Sequence, residues 1–117
     1  MTAEPDSIEI KDLEEWTRWL AANGTGRDEI WVTIFKKSSG RQVISFDVLL
    51  EEALCWGWVD TQTKGIDDLR YRIRFRKRRA GSNWSPTNRE IVCRLIEAGR
   101  MRTAGRGVLP PDLNCPT

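Results

Sequence analysis

Histidine is absent from this 117-residue chain, and that absence removes more chemistry than any single motif supplies. Ser-His-Asp and Cys-His nucleophile systems, the H-E-x-x-H metal helix and Cys/His zinc sites all need an imidazole, so they are excluded. Neither G-x-x-x-x-G-K-[ST] nor G-x-G-x-x-G occurs, and the commonest phosphate cradles are missing with them. Cysteine is sparse. Cys55, Cys93 and Cys115 are odd in number, widely spaced and without a C-x-x-C, which predicts no disulfide framework and a reducing compartment. No apolar run approaches the ~20 residues that span a bilayer. The segment from Met1 to Ile10 carries Glu4, Asp6 and Glu9 where a secretory signal has basic and then apolar residues. These absences predict a cytoplasmic protein with no membrane span, no metal and no cofactor.

Tryptophan, by contrast, is abundant, with six residues in a chain the size of one domain. Burying even four removes on the order of 600 Å² from water, which favours a well-packed core. Charge is unevenly placed: residues 1–60 hold 6 basic and 12 acidic side chains, whereas residues 61–117 hold 13 basic and 5 acidic. The resulting field attracts anions to the second half although the whole chain carries only +2.

Periodicity and punctuation give an α+β reading. The segment 1–11 is polar and expected to be flexible, although Ile8 and Ile10 alternate as a short strand does. Asp12 and Glu15 form a capping-box pattern ahead of Leu13, Trp16 and Leu20, and Asn23-Gly24 stops that helix through left-handed backbone. Ile30 to Lys36 is β-branched and aromatic, apolar on both faces, and reads as a buried strand. After a turn at Lys37–Arg41, Ser45 caps a second helix over Phe46, Leu49, Leu50, Ala53 and Leu54, stopped by Gly57. Trp58–Lys64 and Leu69–Arg76 form a hairpin around Gly65-Ile66-Asp67-Asp68. Ser85-Pro86 opens a third helix with Ile91, Val92, Leu95 and Ile96 as its stripe, ended by Gly99. The prediction is one domain over residues 12–105, an antiparallel sheet of about three strands against about three helices, followed by a disordered tail over 106–117.

Seven of the ten residues from Arg70 to Arg79 are Arg or Lys. In the second hairpin strand Leu69, Tyr71, Ile73 and Phe75 point one way, and Arg70, Arg72, Arg74 and Arg76 point the other. Alternate residues of a strand stand roughly 6.6–6.8 Å apart, a spacing suited to successive phosphates, and the guanidinium fork suits their oxygens. The competing reading is a solvated sheet face whose arginines pair with the acidic residues of the first half, in the way that edge strands carry charge to deter pairing with other chains. Ser82-Asn83-Trp84-Ser85-Pro86-Thr87-Asn88 sets an exposed Trp and small polar groups at a helix N-terminus, where free N–H groups favour an anion; simple capping by Ser85 under a packed Trp84 is the alternative. The candidate ligand-binding set is Lys36, Lys37, Arg70, Arg72, Arg74, Arg76, Arg78, Trp84, Ser85 and Asn88. Glu51, Glu52 and Asp60 are the carboxylates available for acid–base or divalent-ion chemistry, with Asp60 the one catalytic candidate. The plainer reading makes the glutamates a solvated helix face and pairs Asp60 with a strand arginine.

The segments E-E-W-T-R-W-L, W-V-T-I-F-K-K-S-S-G, E-E-A-L-C-W-G-W-V-D, R-F-R-K-R-R-A-G-S-N-W-S-P-T-N and L-I-E-A-G-R-M run from about Glu14 to Gly105. In this order and spacing the chain resembles the YdeI/OmpD-associated family, whose members are described as bacteriocin-protection proteins. The resemblance implies a bacterial stress or resistance role, a periplasmic setting in some descriptions, and no established reaction. Members of that family continue into a helical, Arg- and Ala-rich second half, and a function resident there does not transfer. The expected function is a non-enzymatic binding module for an anionic small molecule, a nucleic acid or a protein partner. The alternative is a small enzyme acting on a phosphorylated or carboxylated metabolite, with Asp60 as base and Arg74 or Arg76 as clamp.

Overall fold

The computed structural model describes residues 7–24, 26–40, 43–79 and 81–115. In chain order its elements are β1 (Ser7–Glu9), α1 (Leu13–Asn23), β2 (Glu29–Phe35), a 3-10 turn (Lys37–Ser39), α2 (Phe46–Cys55), β3 (Trp58–Gly65), β4 (Arg70–Lys77), α3 (Pro86–Glu97) and α4 (Thr103–Arg106). The fold is α+β. Its sheet has four strands in the order β1-β2-β4-β3, with β1 parallel to β2 and the other pairs antiparallel.

The added parallel strand corrects the expectation of a three-stranded antiparallel sheet and of a flexible segment through residue 11. Ile8 stands opposite Val32, the Ile10 N–H donates to the Thr33 carbonyl at 3.3 Å, and Ile10 is only 3% exposed. Two alternating isoleucines are too short a signal to separate a strand from a polar lead-in; the docking site on β2 decides. Residues 1–6 lie outside the described part.

Three helix starts follow their sequence signals. Asp12 accepts from the Glu15 N–H at 2.9 Å, Ser45 from Val48 at 3.3 Å and Ser85 from Asn88 at 3.1 Å, so each helix has one of its free donors satisfied by a side chain. Gly57 turns the chain out of α2 with φ +84°, a conformation that costs a side-chain-bearing residue energy. Gly24 does not do the same. It keeps right-handed φ −62° while its N–H donates to the Leu20 carbonyl, so α1 ends without the expected left-handed residue.

Two cores share α2. On one side Trp16 and Leu20 of α1 meet Leu49 and Ala53 of α2 over Ile30, Val32, Ile34, Ile73 and Phe75 of the sheet. Trp16 stacks on Trp19 at 5.6 Å and tilts against Phe75 at 5.1 Å, and its indole N–H donates to the Leu49 carbonyl at 3.0 Å, which fixes α1 to α2. On the other side Leu50, Leu54 and Cys55 pack against Trp84, Val92, Leu95 and Met101, with Leu109 and Leu113 at the margin.

The tail expected to be disordered from residue 106 is therefore placed as far as Cys115; Pro116 and Thr117 lie outside the described part. Leu109 and Leu113 lie on the second core, Pro110 is buried, and Cys115 is bridged to Cys93 of α3 with Cα atoms 5.4 Å apart. The bridge overturns the expectation of no disulfide. Its partners are 22 positions apart and meet only because the tail folds back along α3, a path without sequence signature. Closing a loop of that length stabilises the fold by about 3 kcal/mol through the unfolded chain. Cys115→Ser is accordingly expected to lose about that much in oxidising buffer and almost nothing in dithiothreitol, measured by denaturant unfolding. An equal loss in both buffers would assign the effect to packing.

Candidate basic sheet face

Among the described residues the helices cover one face of the sheet and leave the other open. β4 lies between β2 and β3, so its charged face belongs to an interior strand and the edge-protection reading does not apply. Register then decides what each arginine meets. Arg70 lies opposite Phe35, Arg72 opposite Thr33, Arg74 opposite Trp31 and Arg76 opposite Glu29.

The two ends of the row are ion-paired. Arg70 forks onto Asp67 in the hairpin loop at 2.9 Å, and those contacts hold the Asp67 carboxyl below its usual value. Arg76 reaches Glu29 at 3.6 Å. The middle is not. Arg72, Arg74 and Lys64 lie over the Trp31 ring at 4.9, 5.8 and 5.6 Å from its centroid, and no carboxylate comes within 4.0 Å of them among the described residues. The Arg74 Nε donates to Thr61 Oγ1 at 2.9 Å, whereas the Arg72 Nε is buried without a partner among the described residues. Glu9, the other carboxylate on this face, pairs with Thr33 and so stands two strands, about 10 Å, from Arg72.

Trp31 is the feature that the sequence reading missed. The sequence pattern predicts Ile30 to Lys36 to be buried on both faces, and Trp31 is only 5% exposed, yet among the described residues no second layer of helix or strand covers it. Three cationic side chains do, through aliphatic stems and cation–π contact. Alternation with Ile30 and Val32 was the available signal, since it sends Trp31 to the face opposite the core.

The remaining candidates do not converge. The Lys36 ammonium donates to the Asp67 carbonyl at 3.3 Å and Lys37 is exposed in the 3-10 turn, both at the hairpin-loop end of the sheet. Arg78 follows the other end of β4, roughly 25 Å away at strand rise. Trp84 is not exposed. It is 8% accessible in the second core, with the Arg78 guanidinium 3.7 Å above its ring. The Ser85 hydroxyl is occupied by the Asn88 N–H, so the capping alternative describes this turn.

The carboxylates also separate. Glu52 is buried rather than solvated: it accepts from the Trp56 indole at 2.9 Å and from Arg100 at 3.3 Å, and Glu51 takes the other arm of Arg100 at 3.4 Å. Among the described residues no three His, Cys, Asp or Glu side chains are grouped to hold a metal. Burial, with the Glu52 carboxylate adding to it, pushes the Cys55 thiol up to about 11, consistent with a packed and unreactive sulfur. Asp60 lies in a hollow with Arg76 and Arg78, away from Arg74.

A family model described as "Domain of unknown function (DUF8412)" matches residues 8–108. The chain belongs to that family. No curated protein matches the chain, and no solved structure does. The matched span of this DUF8412 domain begins in β1 and ends just after α4, in keeping with one continuous unit.

Asp60 of the DUF8412 domain offers a titration test. Burial raises its pKa above 3.8, against the opposing effects of its backbone hydrogen bond and of Arg78. A raised folded-state value means that the folded protein holds this proton more tightly than the unfolded chain, so the ionised carboxylate weighs against folding at neutral pH. Asp60→Asn is expected to raise Tm at pH 7, with the advantage shrinking as pH falls through the shifted value and gone below 3.8. A constant difference across that range would detach the effect from ionisation.

Proposed function

We propose that this domain is a non-enzymatic binding module that takes an anionic partner on the open sheet face, with Arg72, Arg74 and Lys64 around Trp31 as its centre. The observation that carries the reading is the set of three cations over one indole without a carboxylate partner, flanked by arginines that are already neutralised. Guanidinium planes laid on an aromatic ring are preorganised, and their outward N–H groups remain available to oxygen acceptors. A polyphosphate strand matches the spacing along β4, and a stress or resistance role of the YdeI/OmpD-associated kind is the biological setting we attach to it.

The probe is a short single-stranded oligonucleotide, followed by Trp31-sensitive fluorescence. Three neutralised phosphates on a single strand give a salt slope near −2, so affinity should fall roughly 20-fold between 50 and 200 mM salt. The double variant Arg72→Ala/Arg74→Ala should lose most of the binding while keeping the fold. A salt-independent affinity, or binding untouched by the double variant, would remove the reading.

Among the described residues no helix is long and apolar enough to cross a membrane. We keep the cytoplasm as the proposed compartment, with a consequence for the cysteines. Thiol buffers there hold Cys93 and Cys115 reduced, so alkylation of denatured protein taken from cells should label three thiols. Labelling of Cys55 alone would move the domain to an oxidising compartment.

A further inference from the structure

A separate hollow of about 500 Å³ opens along the β3 edge, where the strand slips register between Asp60 and Gln62 and the turn after β4 crosses it. Its size lies within the range of small-metabolite sites. One wall is cationic. Arg78 is 8% exposed, has its guanidinium carbon 3.7 Å from the centre of the Trp84 ring, and donates through Nη1 to the Ser82 hydroxyl and the Asn83 carbonyl, each at 3.1 Å. Its Nε is buried without a partner among the described residues. Lys77 and Arg79 extend this wall, and Arg79 is exposed at the mouth.

Asp60 and Thr61 also line the hollow. Asp60 is half-buried and makes no ion pair within 4.0 Å among the described residues, although the Arg78 charge reaches it. A buried guanidinium and a half-buried carboxylate thus face one cavity without touching. Burial withholds water from both, and direct pairing, the usual compensation, is not made. A ligand that carries an anion at one end and hydrogen-bond donors at the other compensates both groups together. Of the four cations in the lining Arg76 is held by Glu29, and the other three against one carboxylate favour a dianion over a single carboxylate, while hydroxyls beside it give Asp60 the donors that a bare phosphate cannot.

We propose that this hollow binds a small phosphorylated polyol, with the phosphate on Lys77, Arg78 and Arg79 and the hydroxyls on Asp60 and Thr61. The site is distinct from the sheet face, because neither Arg72 nor Arg74 lines it. It also explains the packing of Arg78 on Trp84: the stack fixes the guanidinium in place, so little conformational freedom is lost when an anion arrives.

The test titrates the full chain with inorganic phosphate, ribose and ribose 5-phosphate, followed by calorimetry and amide chemical shifts. Ribose 5-phosphate should bind about tenfold more tightly than phosphate, and ribose alone should bind too weakly to measure. Asp60→Ala should erase the tenfold advantage and leave phosphate binding intact. Arg79→Ala should weaken both anions about tenfold. Arg78 lies over Trp84 and its replacement would test folding, so the exposed Arg79 and the half-buried Asp60 carry the experiment. Arg72→Ala, which spares Arg74 and its bond to Thr61, should leave all three titrations unchanged, which separates this site from the sheet face. Equal affinity for phosphate and ribose 5-phosphate, an advantage that survives Asp60→Ala, or no binding by either anion overturns the proposal.

Discussion

The alternation of β4 is the constraint on which the rest of the domain rests. Tyr71, Ile73 and Phe75 project into the first core, and Arg70, Arg72, Arg74 and Arg76 project from the other face of the same eight-residue strand. A one-residue slip would place four guanidinium groups under α1 and α2, at a desolvation cost of several kcal/mol for each unpaired charge. The register with β2 is therefore held from both faces. Because β4 has neighbours on both sides, its backbone groups are committed and its side chains alone face solvent.

Helix α2 performs the matching task between the two cores. Leu49 and Ala53 face the sheet while Leu50, Leu54 and Cys55 face α3, so the helix is buried nearly all round. Glu52 is the polar exception, satisfied by Trp56 and Arg100. Gly105 of α4 presses on the Cys55 carbonyl so closely that any Cβ there would overlap it, and the Arg102 N–H donates to the same oxygen at 2.9 Å. The end of α2, the start of α4 and the tail are in this way one packed unit, and the turn carrying Arg78 rests on that unit through Trp84.

The charge imbalance between the halves of the chain is only partly cancelled by folding. Arg76–Glu29 and Arg100 with Glu51 and Glu52 join the two halves, whereas Arg18–Glu14, Arg70–Asp67 and Arg89–Asp112 pair within one half. Arg72, Arg74, Lys64 and Arg79 are left without carboxylates among the described residues. Exposed pairs of this kind contribute at most about 1 kcal/mol each, so the pattern matters for the surface field more than for stability.

Local signals determined the elements of this protein. Asp12, Ser45 and Ser85 cap where their side chains reach a backbone N–H three residues on, and the period-two pattern separates core from solvent over Arg70–Arg76, because both effects act within one turn or one strand. The pattern does not hold at Leu69, which precedes the strand and is exposed. Tertiary structure alone decided what those elements meet. It placed Ile8 beside Val32, joined Cys93 to Cys115, hid Trp84 beneath Arg78 and gathered Lys64, Arg72 and Arg74 over Trp31. Each of these contacts depends on strand order or on the path of a returning segment, and composition and spacing along a single chain carry neither.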